Sequence, residues 1–222
     1  MNDTIQILNI QISNSKTAYT MKKIQQYFQS ESLNLIEVVS MDTLLQAEEQ
    51  PKLQDAIQQF DIVVPGDPEI LKAAGIESES ALKEIEEGLF WKSLARQLEK
   101  RRTKVYLLAD SEDELQKVSD YVRKRYHGMQ IMGEGILSEQ TLSEESVVNH
   151  INAAGVECVL GFLSTPVREF FASDNRAWMN AKLWVGMSSG VIGSDTRSGR
   201  GLQALLMKLL FRRKVVQDQR ES

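Results

Sequence analysis

Four short segments set oxygen-bearing side chains beside turn-forming residues: Ser40-Met41-Asp42, Pro65-Gly66-Asp67-Pro68, Ala109-Asp110-Ser111 and Ser164-Thr165-Pro166. Carboxylates and hydroxyls of this kind can hydrogen-bond a polar ligand or exchange a proton with it. They also cap helices, which is the commoner use of Ser and Asp where a strand turns into a helix, and a Pro-Gly turn needs no ligand to explain it. Other chemistries are excluded more firmly. There is no Gly-Lys-Ser/Thr phosphate loop, no Gly-x-Gly-x-x-Gly after the first strand and no nucleophile elbow. His127, His150 and Cys158 are far apart and form no close-spaced ligand pair, so no metal site is expected.

The elements that must position these segments alternate. Ile5 to Ile12 and Leu35 to Val39 read as strands with a helix, Lys16 to Phe28, between them, which predicts a β-α-β opening. Further strands are predicted at Ile62 to Val64, Lys104 to Leu108, Met129 to Met132, Cys158 to Phe162 and Lys182 to Val185. Helices are predicted over Ser80 to Lys100, over Glu112 to Tyr126 behind the Asp110-Ser111 caps, and over Ser143 to Ala153. Such alternation implies an α/β fold with a mainly parallel, Rossmann-like sheet and helices on both faces. In a sheet of that kind ligands sit beyond the carboxyl ends of the strands, and all four segments follow such ends. They should therefore converge on one cleft.

With 222 residues and 42% hydrophobic composition the chain can bury a sizeable core. The single cysteine, Cys158, lies in an apolar run and suits a reducing compartment. The first residues lack the pattern of a signal peptide, and no apolar run approaches the roughly 18–20 residues that span a bilayer, so a cytoplasmic location is expected. Charge is unevenly spread. Residues 197–222 carry seven basic side chains against Asp218 and Glu221, a net +5, which leaves −10 on the rest of a chain whose total is −5. An acidic body disfavours nucleic acid, whereas the basic tail can meet an anionic surface locally. Five glycines and four serines in residues 186–201 divide the two parts, so the chain is read as a domain over 1–196 and an appendage over 197–222.

The order and wording of these segments resemble the TagA/WecG/CpsF glycosyltransferases over nearly the whole chain, from Ile5 to about Lys214. The stretch "IEVVSMDTLLQAEEQPKLQDAIQQFDIVVPGDPEI" is similar to the one in which the family has Thr-x-Asn after one strand and Asp-Gly after the next, with Ser40 at the Thr and Asp42 at the Asn. Gly66 and Asp67 stand at the Asp-Gly pair in reversed order. "EIEEGLFWKSL" resembles the family's Glu-Arg-Val-x-Gly-x-Asp-Leu, with Ile85 at the Arg, and Ala109-Asp110 replace a Gly-Gly turn. "LGFLSTPVREFF" is similar to Gly-x-Gly-x-Pro-Lys-Gln-Glu: Pro166 and Glu169 match, while Val167 and Arg168 replace Lys and Gln. Arg197 matches the start of a later Arg-Ala-Pro.

The resemblance implies metal-independent, cofactor-free transfer of an N-acetylhexosaminyl unit, of the N-acetylmannosamine type, from UDP to a polyprenyl-diphosphate-linked sugar in cell-surface polysaccharide synthesis. It implies Asp67 as catalytic base, Ser40 and Asp42 near the sugar, and Arg168, Glu169 and Arg197 among the substrate contacts, the two arginines toward the diphosphate. The alternative is a catalytically inactive relative that binds or regulates an active transferase. Leu202, Leu205, Leu206, Leu209 and Leu210 recur at i, i+3, i+4, i+7 and i+8 beside Lys208 and Arg212. That stripe predicts an amphipathic helix over 202–217 that either lies on an anionic membrane surface at the inner face or packs on the body or a second copy. Whether the chain forms a homo-oligomer is left open.

Overall fold

The computed structural model describes residues 4–138, 143–192 and 202–221, without the side chains at 202–205 and 219–221. Its centre is a six-stranded, all-parallel sheet. Strands β3 (Asn34–Val39), β4 (Ile62–Pro65), β5 (Lys104–Ala109), β6 (Gln130–Ile136), β7 (Cys158–Phe162) and β8 (Leu183–Gly186) lie in the order β4-β3-β8-β7-β5-β6. Strands β3, β4, β7 and β8 are buried at every position, as β-branched and aromatic runs covered on both faces should be. Strand β6, at one edge, alternates between exposed and half-buried positions over most of its length.

Two helical layers cover the sheet. On one face, α2 (Met41–Glu49), α3 (Pro51–Gln58), α8 (Glu144–Ala153) and α9 (Val167–Asp174) pack through Leu44, Leu53, Ile57, Val148 and Phe171. On the other, α1 (Thr17–Tyr27), α6 (Leu89–Arg101) and α7 (Glu112–Arg125) contribute Ile24, Trp91, Leu94, Leu98, Val118 and Val122. Side chains of successive strand residues alternate between the two cores, as with Val105, Leu107 and Ala109 against Tyr106 and Leu108.

Three predicted elements differ from the structure. Met129 to Met132 catches only the start of β6, which runs on through Gly133-Glu134-Gly135 to Ile136. Ile5 to Ile12 is not one strand but a hairpin, β1 (Thr4–Ile7) and β2 (Ile10–Ser13), in a separate two-stranded antiparallel sheet. Leu8 and Asn9 both take positive φ, 47° and 62°, the pair of left-handed residues that a tight two-residue hairpin turn requires. Folding back at those two residues pairs Ile5 with Ile12 and Ile7 with Ile10, so all four isoleucines still face one side. Ile7, Ile10 and Ile12 are buried over the α3 side of the sheet. The first β-α-β unit therefore begins at β3. Likewise Ser80 to Lys100 is not one helix. Gly88, at φ 61°, breaks it into α5 (Glu79–Glu86) and α6. A left-handed residue cannot continue an α-helix, and glycine takes that conformation without a Cβ clash.

Helix α4 (Pro68–Ala73) follows β4, and the C-terminal helix α10 (Leu202–Glu221) returns to pack on α2 and α4. Phe211 and Val215 enter the core on the α2 side, while Leu206, Leu209, Leu210 and Val216 remain exposed. No helix among the described residues is long and apolar enough to cross a membrane.

Candidate functional site

A parallel sheet puts the carboxyl end of every strand on one edge, and a hydrogen bond there joins the segments after β3 and β4. Asp67, the residue before α4, accepts from the Met41 backbone N–H through Oδ2 at 2.8 Å. Ser40 caps α2 next door, its Oγ accepting from Thr43 N–H at 3.0 Å. Burial pushes the Asp67 carboxyl above its ordinary pKa, and nearby Glu69 pushes the same way, against the Met41 bond and the charge of Lys208. The carboxylate is thus a stronger base than a solvated aspartate. Gly66 lets the strand end lie close to its neighbour, because a Cβ there would meet the Val39 carbonyl at 2.8 Å.

Behind this edge lies a buried ionic cluster on the α9 side of the sheet. Glu37 of β3 and Gly186 of β8 are register partners, and Gly161 of β7 is the next in the same row. A side chain at Gly186 would collide with Glu37 Oε2 and come within 3.0 Å of Arg168 Cδ, so the missing Cβ makes room for an ion pair. Arg168 Nε approaches Glu37 Oε1 to 2.6 Å, although neither atom makes an aligned hydrogen bond. Its Nη1 donates to the Leu163 carbonyl at 2.9 Å, and Nη2 to Glu169 Oε1 at 2.8 Å and Thr165 Oγ1 at 3.2 Å. Arg168 is 3% exposed, and Glu37 and Glu169 are both 0%.

Burial raises the Glu37 pKa to about 8, with Glu169 adding to the rise and Arg168 opposing it. Burial also works against the Arg168 cation, but the two carboxylates outweigh it and raise its pKa. The Thr165–Pro166 peptide is cis. From Thr165 a row of hydroxyls leads outward: Thr165 Oγ1 lies 3.1 Å from Thr43 Oγ1, and Thr43 Oγ1 lies 3.0 Å from Ser40 Oγ.

Between β5 and β7 the order of connection reverses, since β5 leads outward to β6 at one edge and β7 leads to β8 on the other side, with α7 after β5 covering one face and α9 after β7 the other. Such a switch point is the usual crevice for a ligand. Here Asp110 reaches across it, its Oδ2 accepting from Ser164 N–H at 2.7 Å. Burial raises its pKa, and Glu114 also raises it, against the bonds from Ser164 and the charge of Arg168.

The predicted site residues are thus not all alike. Ser40 and Asp67 sit side by side at the edge. Arg168 and Glu169 lie behind them, with the guanidinium occupied by protein partners. Asp42 is exposed in the first turn of α2 and accepts from Gln46 Nε2 at 2.7 Å. Arg197 lies outside the described residues. The sequence reading passed over Glu37 and Thr43. A lone acid inside the apolar run Leu35-Ile36-Glu37-Val38-Val39 was the available signal, because buried charges require partners.

Two hollows of about 470 and 650 Å³ open at the opposite, amino edge of the sheet, beside Ile62 and beside Leu33 and Lys182. Neither contains Ser40, Asp67, Asp110 or Ser164. Among the described residues no group of three or more His, Cys, Asp or Glu is arranged to hold a metal ion.

The C-terminal helix adds positive charge beside the site. Glu69 Oε2 accepts from Arg212 Nη2 at 2.6 Å, and Glu69 Oε1 accepts from Lys72 at 3.1 Å and lies 3.6 Å from Lys208 Nζ. Burial works to raise the Glu69 pKa, but the bonds from Arg212 and Lys72 win and lower it.

Residues 5–194 match the sequence model of the glycosyl transferase WecG/TagA/CpsF family. No curated protein matches the chain significantly.

Proposed function

Because the chain belongs to the WecG/TagA/CpsF glycosyl transferase family, we propose that it transfers an N-acetylhexosaminyl unit from UDP to a polyprenyl-diphosphate-linked sugar, with Asp67 as the general base. The observation that carries this reading is the Asp67 carboxylate, held by Met41 N–H at the common edge with its pKa raised by burial. A base of raised pKa takes the acceptor hydroxyl proton more readily as the oxygen attacks the anomeric carbon. Ser40, the residue before Met41, contacts the sugar. Asp42 and Arg197 complete the substrate contacts, while Arg168 and Glu169 act from behind by holding Thr165 and Thr43. No metal or organic cofactor takes part. Asp67→Asn should abolish turnover of UDP-N-acetylhexosamines while calorimetric binding of UDP stays within about twofold. Equal turnover by the variant would remove Asp67 from the mechanism.

A specific observation favours a second reading, that of an inactive relative acting as a binding or regulatory partner of an active transferase. Asp110 sets a carboxylate across the β5–β7 crevice, where a nucleotide diphosphate would meet like charge. Arg168, spent inside the protein, does not offset it. Absence of turnover by the wild type with every UDP-N-acetylhexosamine tried, in the presence of lipid-linked acceptor, would favour this reading.

The acceptor's lipid places the work at a cytoplasmic membrane surface. Helix α10 docks through Phe211 and Val215 and turns Leu206, Leu209 and Leu210 outward beside basic residues, which suits reversible contact with anionic lipid. Replacing those three leucines by serine should reduce co-sedimentation with anionic liposomes while leaving the docked face intact. Unchanged partitioning would assign the strip to another surface, such as a second copy.

A further inference from the structure

Ser40, Thr43, Thr165 and Glu169 form one hydrogen-bonded row from the site edge to the buried ion pair, and its inner end determines where each proton points. Glu169 Oε1 accepts from Arg168 Nη2 at 2.8 Å and from the Thr165 hydroxyl at 2.9 Å. Thr165 Oγ1 also accepts from Arg168 Nη2 at 3.2 Å. A hydroxyl has one proton and two lone pairs. Since the Thr165 proton goes to Glu169, its 3.1 Å contact with Thr43 requires the Thr43 hydroxyl to donate. The Thr43 proton is then committed inward, and the 3.0 Å contact with Ser40 requires the Ser40 hydroxyl to donate. Ser40 Oγ meanwhile accepts from Thr43 N–H at 3.0 Å.

One lone pair remains on Ser40, a residue half-open to solvent at the carboxyl edge.

We propose that Ser40 meets the substrate solely as a hydrogen-bond acceptor, so that the group bound there is a donor, a sugar hydroxyl or an acetamido N–H, and not a phosphate oxygen. A phosphate oxygen would bring lone pair against lone pair. Thr43, Thr165 and Glu169 are positioning residues in this arrangement, acting only through Ser40. The inference rests on the transferase reading for the identity of the ligand, but the proton direction is a property of the chain itself.

Neutron diffraction from deuterium-exchanged crystals of the full chain tests that direction without a ligand. The Ser40 deuteron should lie between Ser40 Oγ and Thr43 Oγ1, and a deuteron turned toward solvent would overturn the proposal. In Thr165→Val the inner acceptor is gone, so the Thr43 deuteron should turn to Ser40 and the Ser40 deuteron outward. An unchanged Ser40 deuteron in this variant would show that the row does not control it.

The ligand half is read by calorimetry with UDP-N-acetylglucosamine. Its analogues would carry hydrogen or fluorine in place of each sugar hydroxyl, or an ester oxygen in place of the acetamido N–H. At one position the donor-lacking analogues, fluorine included, should each bind about tenfold more weakly, the worth of one hydrogen bond, and Ser40→Ala should erase that difference. Full affinity of the fluoro analogue at the Ser40-dependent position would overturn the proposal, as would Ser40→Ala binding every analogue as the wild type does. If UDP-N-acetylglucosamine and UDP both fail to bind, the transferase reading falls, whereas the diffraction result still decides the direction of the Ser40 proton.

Discussion

Among the carboxylate–guanidinium contacts of the described residues, two clusters differ mainly in their access to water. In the first, Glu37 and Glu169 hold Arg168 with all three side chains at most 3% exposed. In the second, Glu69 holds Arg212, Lys72 and Lys208, and although Glu69 itself is 7% exposed, Arg212 is 56% exposed. The Glu69 carboxylate lies just beneath the surface, and its partners can solvate themselves when it is removed. Charges sealed in the first cluster have no such outlet. Removal of one partner there strands the others, so the same pairing chemistry locks the site in one place and docks a helix adjustably in the other.

Arg168→Ala should give the largest effect, a loss of about 3–5 kcal/mol in denaturant unfolding, because it leaves the Glu169 carboxylate and the Glu37 carboxyl buried without the guanidinium that pairs them. A loss below about 1 kcal/mol would mean that water reaches the cluster and that the two regions do not differ as described.

A second effect follows from Glu37, whose pKa rises from an ordinary 4.5 to about 8 on folding. Between those values the folded chain holds a proton that the unfolded chain has released, so stability should fall as pH rises through that window and level off above it. The swing should amount to a few kcal/mol, and Glu37→Gln should flatten it. Melting curves from pH 5 to 9 would show this. Glu69, whose pKa is lowered, contributes in the opposite sense: its stabilisation is present above its ordinary pKa and is lost on acidification.

Glu69→Gln should cost only about 1 kcal/mol, since its partners are largely exposed. It should nevertheless raise amide hydrogen exchange selectively in α10, an effect that 1 M salt should mimic in the wild type by shortening the Debye length to about 3 Å. Protection spread evenly over the molecule would argue against adjustable docking. The smallest effect is expected for Lys214→Ala. Its 3.0 Å pair with Glu48 is exposed on both sides, and its loss should change stability by no more than about 0.5 kcal/mol.

The same contrast explains what could be read from the sequence. Five of the six core strands were legible because each is a short, largely apolar run between turns, and parallel pairing followed from their alternation with helices; only the start of β6 was legible, because Gly133-Glu134-Gly135 breaks its apolar pattern. The hairpin was missed because Leu8-Asn9 has no glycine; the available signal was the change of parity from Ile5 and Ile7 to Ile10 and Ile12, which one straight strand would put on opposite faces. The break at Gly88 was missed because Leu82, Ile85, Leu89, Leu94 and Leu98 keep an apolar rhythm across it. The position of Ser40 and Asp67 at the carboxyl edge was legible because both follow strands directly. The pairing of Glu37 with Arg168 joins residues 131 positions apart in the chain, and only the sheet register brings them together.

The strand order also carries a consequence for how the protein is made. Strands β3 and β4 are neighbours in both sequence and sheet, as are β5 and β6, but β7 and β8 lie between the two pairs and are the last of the six to be synthesised. Until Cys158–Phe162 and Leu183–Gly186 are made, any pairing of β3 with β4 and of β5 with β6 would give two half-sheets, each with an open inner edge that must stay unpaired. The two central, fully buried strands thus arrive as a keystone, and a pause in translation before residue 183 would prolong the interval in which those edges can pair with another chain.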